Sequence, residues 1–193
     1  VSRAPGSGRR TEICLSGSGG QGIILAATVL ADVFVATGKE VVQTQSYGPE
    51  ARGGASRAAV IVSDEEIDYP EVTLPDVTLC LSQQAYDAYA PTTRPGGLVI
   101  YDERLVAATP LADVRLAGVP FSQLAERDLG RVVVANIVAV GALLELTSLA
   151  STEAAQDALR RRLPKKILDL NLRALALGRQ AATQGAESAQ TRR

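Results

Sequence analysis

Short apolar runs bounded by glycines and polar clusters alternate along this chain with longer stretches of helical periodicity. Glu12 to Ser16 is one such run and reads as a buried strand. A glycine-rich turn follows, and then Ile23 to Thr37, where Ile24, Ala27, Leu30, Ala31 and Phe34 recur at helical spacing. Gly38 ends that helix, as a glycine just past the last turn commonly does. Glu40 to Gln45 and Ser56 to Ser63 read as second and third strands, joined by the polar, glycine-rich stretch Ser46 to Ala55. No helix fits in that connection, and a parallel crossover takes a dozen or more residues. These two strands are therefore expected either to be antiparallel neighbours or to straddle the sheet, which makes the sheet mixed.

Asp76 to Ser82, Gly97 to Asp102 and Val114 to Ala117 read as further strands. A short helix at Gln83 to Tyr89 and the turn Arg94-Pro95-Gly96-Gly97 lie between them. The chain beyond is helical. Val132 to Leu149 is its most apolar stretch, but Asn136, Glu145, Thr147 and Ser148 inside it favour a buried core helix over a membrane span. Ser151 or Thr152 caps a helix over Glu153 to Leu163, and Pro164 separates it from Lys166 to Ala181. The elements predict an α/β fold with three layers, α/β/α, a mixed central sheet, a Rossmann-like β-turn-α opening and a helical C-terminal part. Residues 11–181 read as a single domain, and the polar ends 1–10 and 182–193 as disordered tails.

Composition removes several chemistries. Of the 193 residues 46% are hydrophobic and 20 are basic against 21 acidic, as in an ordinary globular domain. There is no His, Met or Trp, and the only cysteines are Cys14 and Cys80. A His general base, a Ser-His-Asp triad, a His-liganded metal and a cluster drawing four thiolates from this chain alone are therefore excluded. A net charge of −1 and 4% aromatic residues lack the basic excess and the stacking surface of a nucleic-acid binder. The opening VSRAPGSGRR has no apolar core, so it does not read as a secretory signal, and the absence of Met points to a removed initiator or a non-AUG start. The two cysteines sit in separate apolar runs as buried reduced thiols do, and a cytoplasmic location is expected.

Two loops carry candidate chemistry. Gly17-Ser18-Gly19-Gly20-Gln21-Gly22 lies between a strand and a helix, with glycines at its first, third and sixth positions. That spacing allows a tight turn, close ligand approach and close packing of helix on sheet, and the helix start favours an anion. A dinucleotide site also wants an acid near the end of the second strand, where this chain has Gln43, Thr44 and Gln45. A turn needing glycines only for packing is the competing reading. The second loop, Tyr47-Gly48-Pro49-Glu50-Ala51-Arg52-Gly53-Gly54, places one acid and one arginine among permissive glycines. Arg52 there can present its fork to a phosphate or carboxylate, or Glu50 can pair with Arg52 or Arg57 and hold the loop. Because turns beyond the carboxyl ends of strands form the ligand crevice of open α/β sheets, the two loops are expected together.

GSGGQG, QTQSYGPEARGGAS, LPDVTLCLSQQAYDAY and PGGLVIYD, in this order and spacing, resemble the gamma subunit of 2-oxoacid:ferredoxin oxidoreductases. Asn136 with Gly141, and Asn171 through Gly178, extend the likeness, which covers about residues 11–181. The variant Tyr47 to Gly54 is most similar to 2-oxoglutarate-type enzymes, whereas pyruvate- and indolepyruvate-type relatives share only the Arg52-Gly53-Gly54 core. The resemblance implies a non-catalytic subunit binding no cofactor on its own. It implies partner alpha and beta subunits that hold thiamine diphosphate and magnesium, and iron–sulfur clusters in beta or in a ferredoxin-like delta subunit. The implied reaction converts a 2-oxoacid and coenzyme A to acyl-CoA, CO2 and reduced ferredoxin. On that reading Gly17, Gly19, Gly20, Gln21, Gly22, Tyr47, Glu50, Arg52, Gly53 and Gly54 line a crevice toward the partner chains and meet the phosphates of coenzyme A. The alternatives are an independent nucleotide- or CoA-binding regulatory module and a gamma-type subunit of a pyruvate- or indolepyruvate-specific relative; the missing acid and His argue against a free-standing NAD(P) dehydrogenase.

Smaller features have plainer readings. The run Arg160, Arg161, Arg162, Lys165, Lys166 is expected to complement a helix C-terminus. Tyr86 and Tyr89 are expected to pack, and Asp76 and Asp102 to order loops. Glu145 needs a partner if buried, and Arg173 or Arg179 are the candidates.

Overall fold

The structure is a computed structural model that describes residues 10–46 and 55–190, with side chains as far as Gln184. In chain order the elements are β1 (Arg10–Gly17), α1 (Ile23–Ala36), β2 (Glu40–Ser46), β3 (Ser56–Ser63), β4 (Val77–Cys80), α2 (Gln83–Tyr89), β5 (Leu98–Asp102) and β6 (Arg115–Val119). The helices α3 (Phe121–Leu129), α4 (Ala135–Thr147), α5 (Thr152–Arg162) and α6 (Lys165–Gln190) follow.

The strands form one mixed sheet in the order β2-β3-β1-β4-β5-β6. β1, β4, β5 and β6 are parallel, while β3 runs antiparallel to both β1 and β2. The short β2–β3 connection therefore yields antiparallel neighbours, one of the two arrangements its length permits. Inserting β3 also separates β2 from β1. In a dinucleotide fold the second strand lies beside the first and brings its acid to the ribose; here a whole strand intervenes, so the Gln43 to Gln45 segment is displaced from the glycine turn.

Strand alternation sorts the core. Ile13, Leu15, Val60, Leu79 and Ile100 face a continuous cluster with α1 and α3–α6, whereas Cys14, Ala59, Ile61, Cys80 and Val99 face α2 and the connecting segments. The result is three layers, α/β/α, with one layer much thicker than the other.

Strand ends shift by one or two residues from the sequence expectation, and three larger differences lie in the helical part. The apolar run at Val132 opens with a 3-10 turn, Val132–Val134, and Val132 and Val133 are exposed rather than core. The last helix does not stop at Ala181 but continues through Gln190, so the segment from Ala182 read as tail is helical there. α3 is a distinct element after Pro120, ended by Gly130 in the left-handed region. Ser151 caps α5, its side chain accepting from Ala154 N. No helix among the described residues is long and apolar enough to cross a membrane.

Candidate functional site

The glycine turn is built by its own side chains. Gly20 and Gly22 have φ of 85° and 72°, which glycine adopts without the penalty a Cβ brings. Gln21 folds back over the turn: its Oε1 accepts from Ser18 N at 2.6 Å and its Nε2 donates to Leu81 O at 2.8 Å. The amide thus staples the turn to the carboxyl end of β4. A Cβ on Gly17 would lie 2.6 Å from that same Oε1, so Gly17 makes room for the staple. Asn136, 3% exposed at the start of α4, donates to Gly22 O at 3.0 Å and accepts from Ile137 N. The N-terminal ends of α1 and α4 are tied together by this one side chain, and the first-turn N–H groups of α1 keep the orphan donors of any helix start.

Asp102 does the corresponding work on the other side. Its carboxylate, 1% exposed at the end of β5, accepts from Arg104 N at 3.0 Å and from Ser122 N at 2.8 Å. The turn after β5 and the first turn of α3 are thereby held to each other. Between these two braces lies a cavity of about 590 Å³. Gly20, Gln21 and Leu81 form one wall; Asp102, Arg104 and Leu105 another; Ser122, Gln123 and Glu126 come from α3, and Val132, Val133 and Ala135 close it beside α4. It sits beyond the carboxyl ends of β1, β4 and β5, where the connection from β1 leaves toward one edge and that from β4 toward the other. That is the ligand position expected of an open α/β sheet.

Of the sequence candidates, Gly20 and Gln21 line the cavity, while Gly17 and Gly22 shape the turn behind it and Gly19 is open on its outer side. Tyr47, Glu50, Arg52, Gly53 and Gly54 lie outside the described residues. Their flanks emerge at the same end of the sheet, since Ser46 pairs with Arg57 and Gly17 with Ser56. Sequence reasoning did not single out Arg104, Ser122, Gln123 and Glu126. Arg57 is a packing residue: its Nη2 donates to Val72 O and its guanidinium carbon lies 5.8 Å from the Tyr89 ring centroid.

The remaining polar features are structural. Burial pushes the Cys14 thiol up to about 11 and the Cys80 thiol to about 12. Both are therefore protonated core thiols at neutral pH. Tyr86 and Tyr89 donate to Thr109 O and Ala55 O. Asp76 accepts from Glu12 N and pairs with Arg94. In the basic run Arg160 pairs with Asp157, and Arg162 takes Asp32 with two bonds. Glu145 takes Arg179 at 2.7 Å, one of the two arginines the sequence offered.

An open mixed sheet with a stapled glycine turn facing a crevice at its switch point is a ligand-binding α/β domain in architecture. Residues 12–181 match the pyruvate ferredoxin/flavodoxin oxidoreductase family model, and the chain belongs to that family. It is 47% identical over 178 residues to the 2-oxoglutarate synthase subunit KorC of Methanocaldococcus jannaschii, covering 91% of this chain and 95% of that protein. The gamma subunit of a keto/oxoacid ferredoxin oxidoreductase from Geobacter sulfurreducens superposes with a TM-score of 0.81 at 40% identity, over 90% of this chain and 99% of that one. The 2-oxoglutarate:ferredoxin oxidoreductase of Magnetococcus marinus, solved with 2-oxoglutarate, coenzyme A and succinyl-CoA bound, superposes at 0.80 and 26% identity. The match takes in 91% of this chain but 31% of that longer one.

Proposed function

We propose that this chain is the gamma subunit of a cytoplasmic 2-oxoglutarate:ferredoxin oxidoreductase, with residues 11–181 acting as one domain. The assembly decarboxylates the 2-oxoacid, passes two electrons to ferredoxin and releases the acyl group on coenzyme A. The observation that carries the reading is the near full-length identity with KorC, 47% over 95% of that protein. The chain's own chemistry agrees with a supporting role. Both cysteines lie in the core as thiols, so the donor set does not fit an iron–sulfur cluster in this chain. Thiamine diphosphate, magnesium and the clusters belong on the alpha and beta chains, with a ferredoxin-like delta chain where one is present.

What this chain contributes is the crevice. Gly19 and Gly20 let an anionic group approach the backbone at the positive end of α1, while Gly17 and Gly22 shape the turn behind them and Gln21 keeps it in that shape. Coenzyme A is the anionic co-substrate, its phosphates meeting this turn and Arg52, with Tyr47, Glu50, Gly53 and Gly54 completing the wall. Nothing in this role requires proton transfer from the chain; it binds, orients and excludes water. Arg52→Ala in the reconstituted complex is expected to raise the KM for coenzyme A at least tenfold with kcat nearly unchanged, since it removes binding common to ground and transition states. An unchanged coenzyme A dependence would return Arg52 to a role in loop structure. Full-affinity coenzyme A binding by the isolated chain, without partners, would favour an independent binding module instead.

A further inference from the structure

The cavity combines bare apolar walls with one unpaired cation. Leu105 is 45% exposed on the β5 side, and Val132 and Val133 are 54% and 68% exposed on the wall beside α4. Of the nine large exposed apolar side chains among the described residues, these three alone line this cavity. Arg104, next to Leu105, is the one basic residue among the described residues lining it. Its exposed guanidinium makes no hydrogen bond or ion pair within the described chain, whereas Arg127, nearby on α3, is paired with Asp128. Gln123 and Glu126, three residues apart on the exposed face of α3, also line the cavity with side chains that have no partner among the described residues.

The helix starts around the cavity are not equally available to an anion. That of α3 already holds the Asp102 carboxylate through Ser122 N, and that of α4 holds the Asn136 side-chain oxygen through Ile137 N. α1 has no side-chain cap and no acid in its first turn, so its N–H groups remain open beside the Gly20–Gln21 wall. The cavity thus offers two separate places for negative charge, the start of α1 and the Arg104 guanidinium. The Glu126 carboxylate repels a phosphate from the α3 side and can only accept, so it selects a hydrogen-bond donor there.

Coenzyme A matches this arrangement group by group. Its 5′-pyrophosphate and 3′-phosphate are separate anions, and they flank an adenosine with a flat apolar face and an amino donor. We propose that the cavity takes the 3′-phosphoadenosine end of coenzyme A, with the adenine against Leu105, Val132 and Val133 and the 3′-phosphate on Arg104. The pyrophosphate then lies at the start of α1 and the adenine amino group faces Glu126. The volume of about 590 Å³ suits a group of this size, within the roughly 300–1,000 Å³ of small-molecule sites. The proposal rests on the coenzyme A reading above and makes Arg104 the residue that distinguishes coenzyme A from nucleotides lacking the 3′-phosphate. An arginine fork suits a phosphate, and a site built around one rejects the analogue without it.

The test compares coenzyme A with 3′-dephospho-coenzyme A in the complex reconstituted with alpha- and beta-type chains. The wild type is expected to show a KM at least tenfold lower for coenzyme A, with similar kcat, because the 3′-phosphate is remote from the reacting thiol and contributes uniform binding. Arg104→Gln is expected to raise the KM for coenzyme A at least tenfold and to leave that for the dephospho form within twofold, so the preference disappears. Arg127→Gln should change neither. Adenosine 3′,5′-bisphosphate should compete with coenzyme A, and Arg104→Gln should weaken that competition to the same degree. If Arg104→Gln does not assemble, Arg104→Lys is used, and a threefold or greater loss of preference supports the assignment. In an active complex, a retained preference, or an equal loss toward both nucleotides, overturns the role of Arg104 and leaves the coenzyme A reading intact. A wild-type complex without coenzyme A-dependent oxidation of 2-oxoglutarate overturns both.

Discussion

Asn136 and Gly22, 114 residues apart, are joined by a 3.0 Å bond from the Asn136 side-chain amide to the Gly22 carbonyl oxygen, and a Cβ on Gly22 would lie 2.4 Å from that amide nitrogen. The turn and α4 are thus fitted to each other at a single point. Because Asn136 also caps the backbone at Ile137, moving it to admit a methyl group breaks two bonds at once.

Gly22→Ala combines that clash with a left-handed φ of 72°. The expected cost is about 2–4 kcal/mol, lowering Tm by roughly 4–16 °C in a chain of this size. Gly19→Ala is the contrast: its Cβ meets no heavy atom within 4 Å, and its stability should stay within about 0.5 kcal/mol of wild type. Thermal unfolding of the two variants side by side measures the difference. Equal Tm values would mean that the turn is not locked against α4.

A second pair of glycines sets the spacing of α4 and α6. A Cβ on Gly141 would lie 2.2 Å from Leu175 O, and one on Gly178 only 1.8 Å from Val138 O. Alanine in an exposed helix interior stabilises by about 1 kcal/mol relative to glycine. Here the sign reverses, because the contact is with backbone that cannot rotate away. Gly178→Ala and Gly141→Ala should each lose about 3 kcal/mol or more by forcing the helices apart, and denaturant unfolding provides the measurement.

The sequence exposes these features unequally. Ser56–Ser63 and Gln83–Tyr89 emerge with the expected bounds, because period-two and short helical patterns are local. Connection length left two arrangements for β2 and β3, and the antiparallel pair is one of them. Gln21, by contrast, is indistinguishable in sequence from a ligand-facing amide; only the position of Leu81, brought alongside by β4, reveals the staple. Arg104 and Ser122 face one cavity because β5 and β6 are parallel neighbours, a relation between segments that neither residue's own surroundings encode. Arg179 rather than Arg173 meets Glu145 because the close approach of the two backbones, Gly141 against Leu175 and Gly178 against Val138, fixes how α6 is rotated on α4.

The Glu145–Arg179 pair should contribute modestly. The two side chains are 31% and 21% exposed, so screening keeps the coupling in a double-mutant cycle at about 1 kcal/mol. Adding 1 M NaCl should reduce it further. A coupling of zero at low salt would show that the 2.7 Å contact does not persist in solution.

Alkaline pH should destabilise the fold through its two thiols. Burial raises both above their ordinary value of 9.0, Cys14 to about 11 and Cys80 to about 12. The unfolded chain releases its thiol protons near pH 9 while the folded chain keeps them, so the folded state binds more protons across this window. Stability is therefore fully present below pH 9 and declines as pH rises toward 11 and 12, by about 3 kcal/mol for Cys14 and about 4 kcal/mol for Cys80 in all. Denaturant unfolding from pH 8 to 10.5 measures the slope. Cys14→Ala and Cys80→Ala should each flatten it, whatever they cost at pH 8 through the small cavities they leave. At neutral pH the same burial predicts alkylation by iodoacetamide at the rate of global or local opening, far below that of an exposed cysteine. Rapid alkylation of the native chain would show that these thiols are not held in the core.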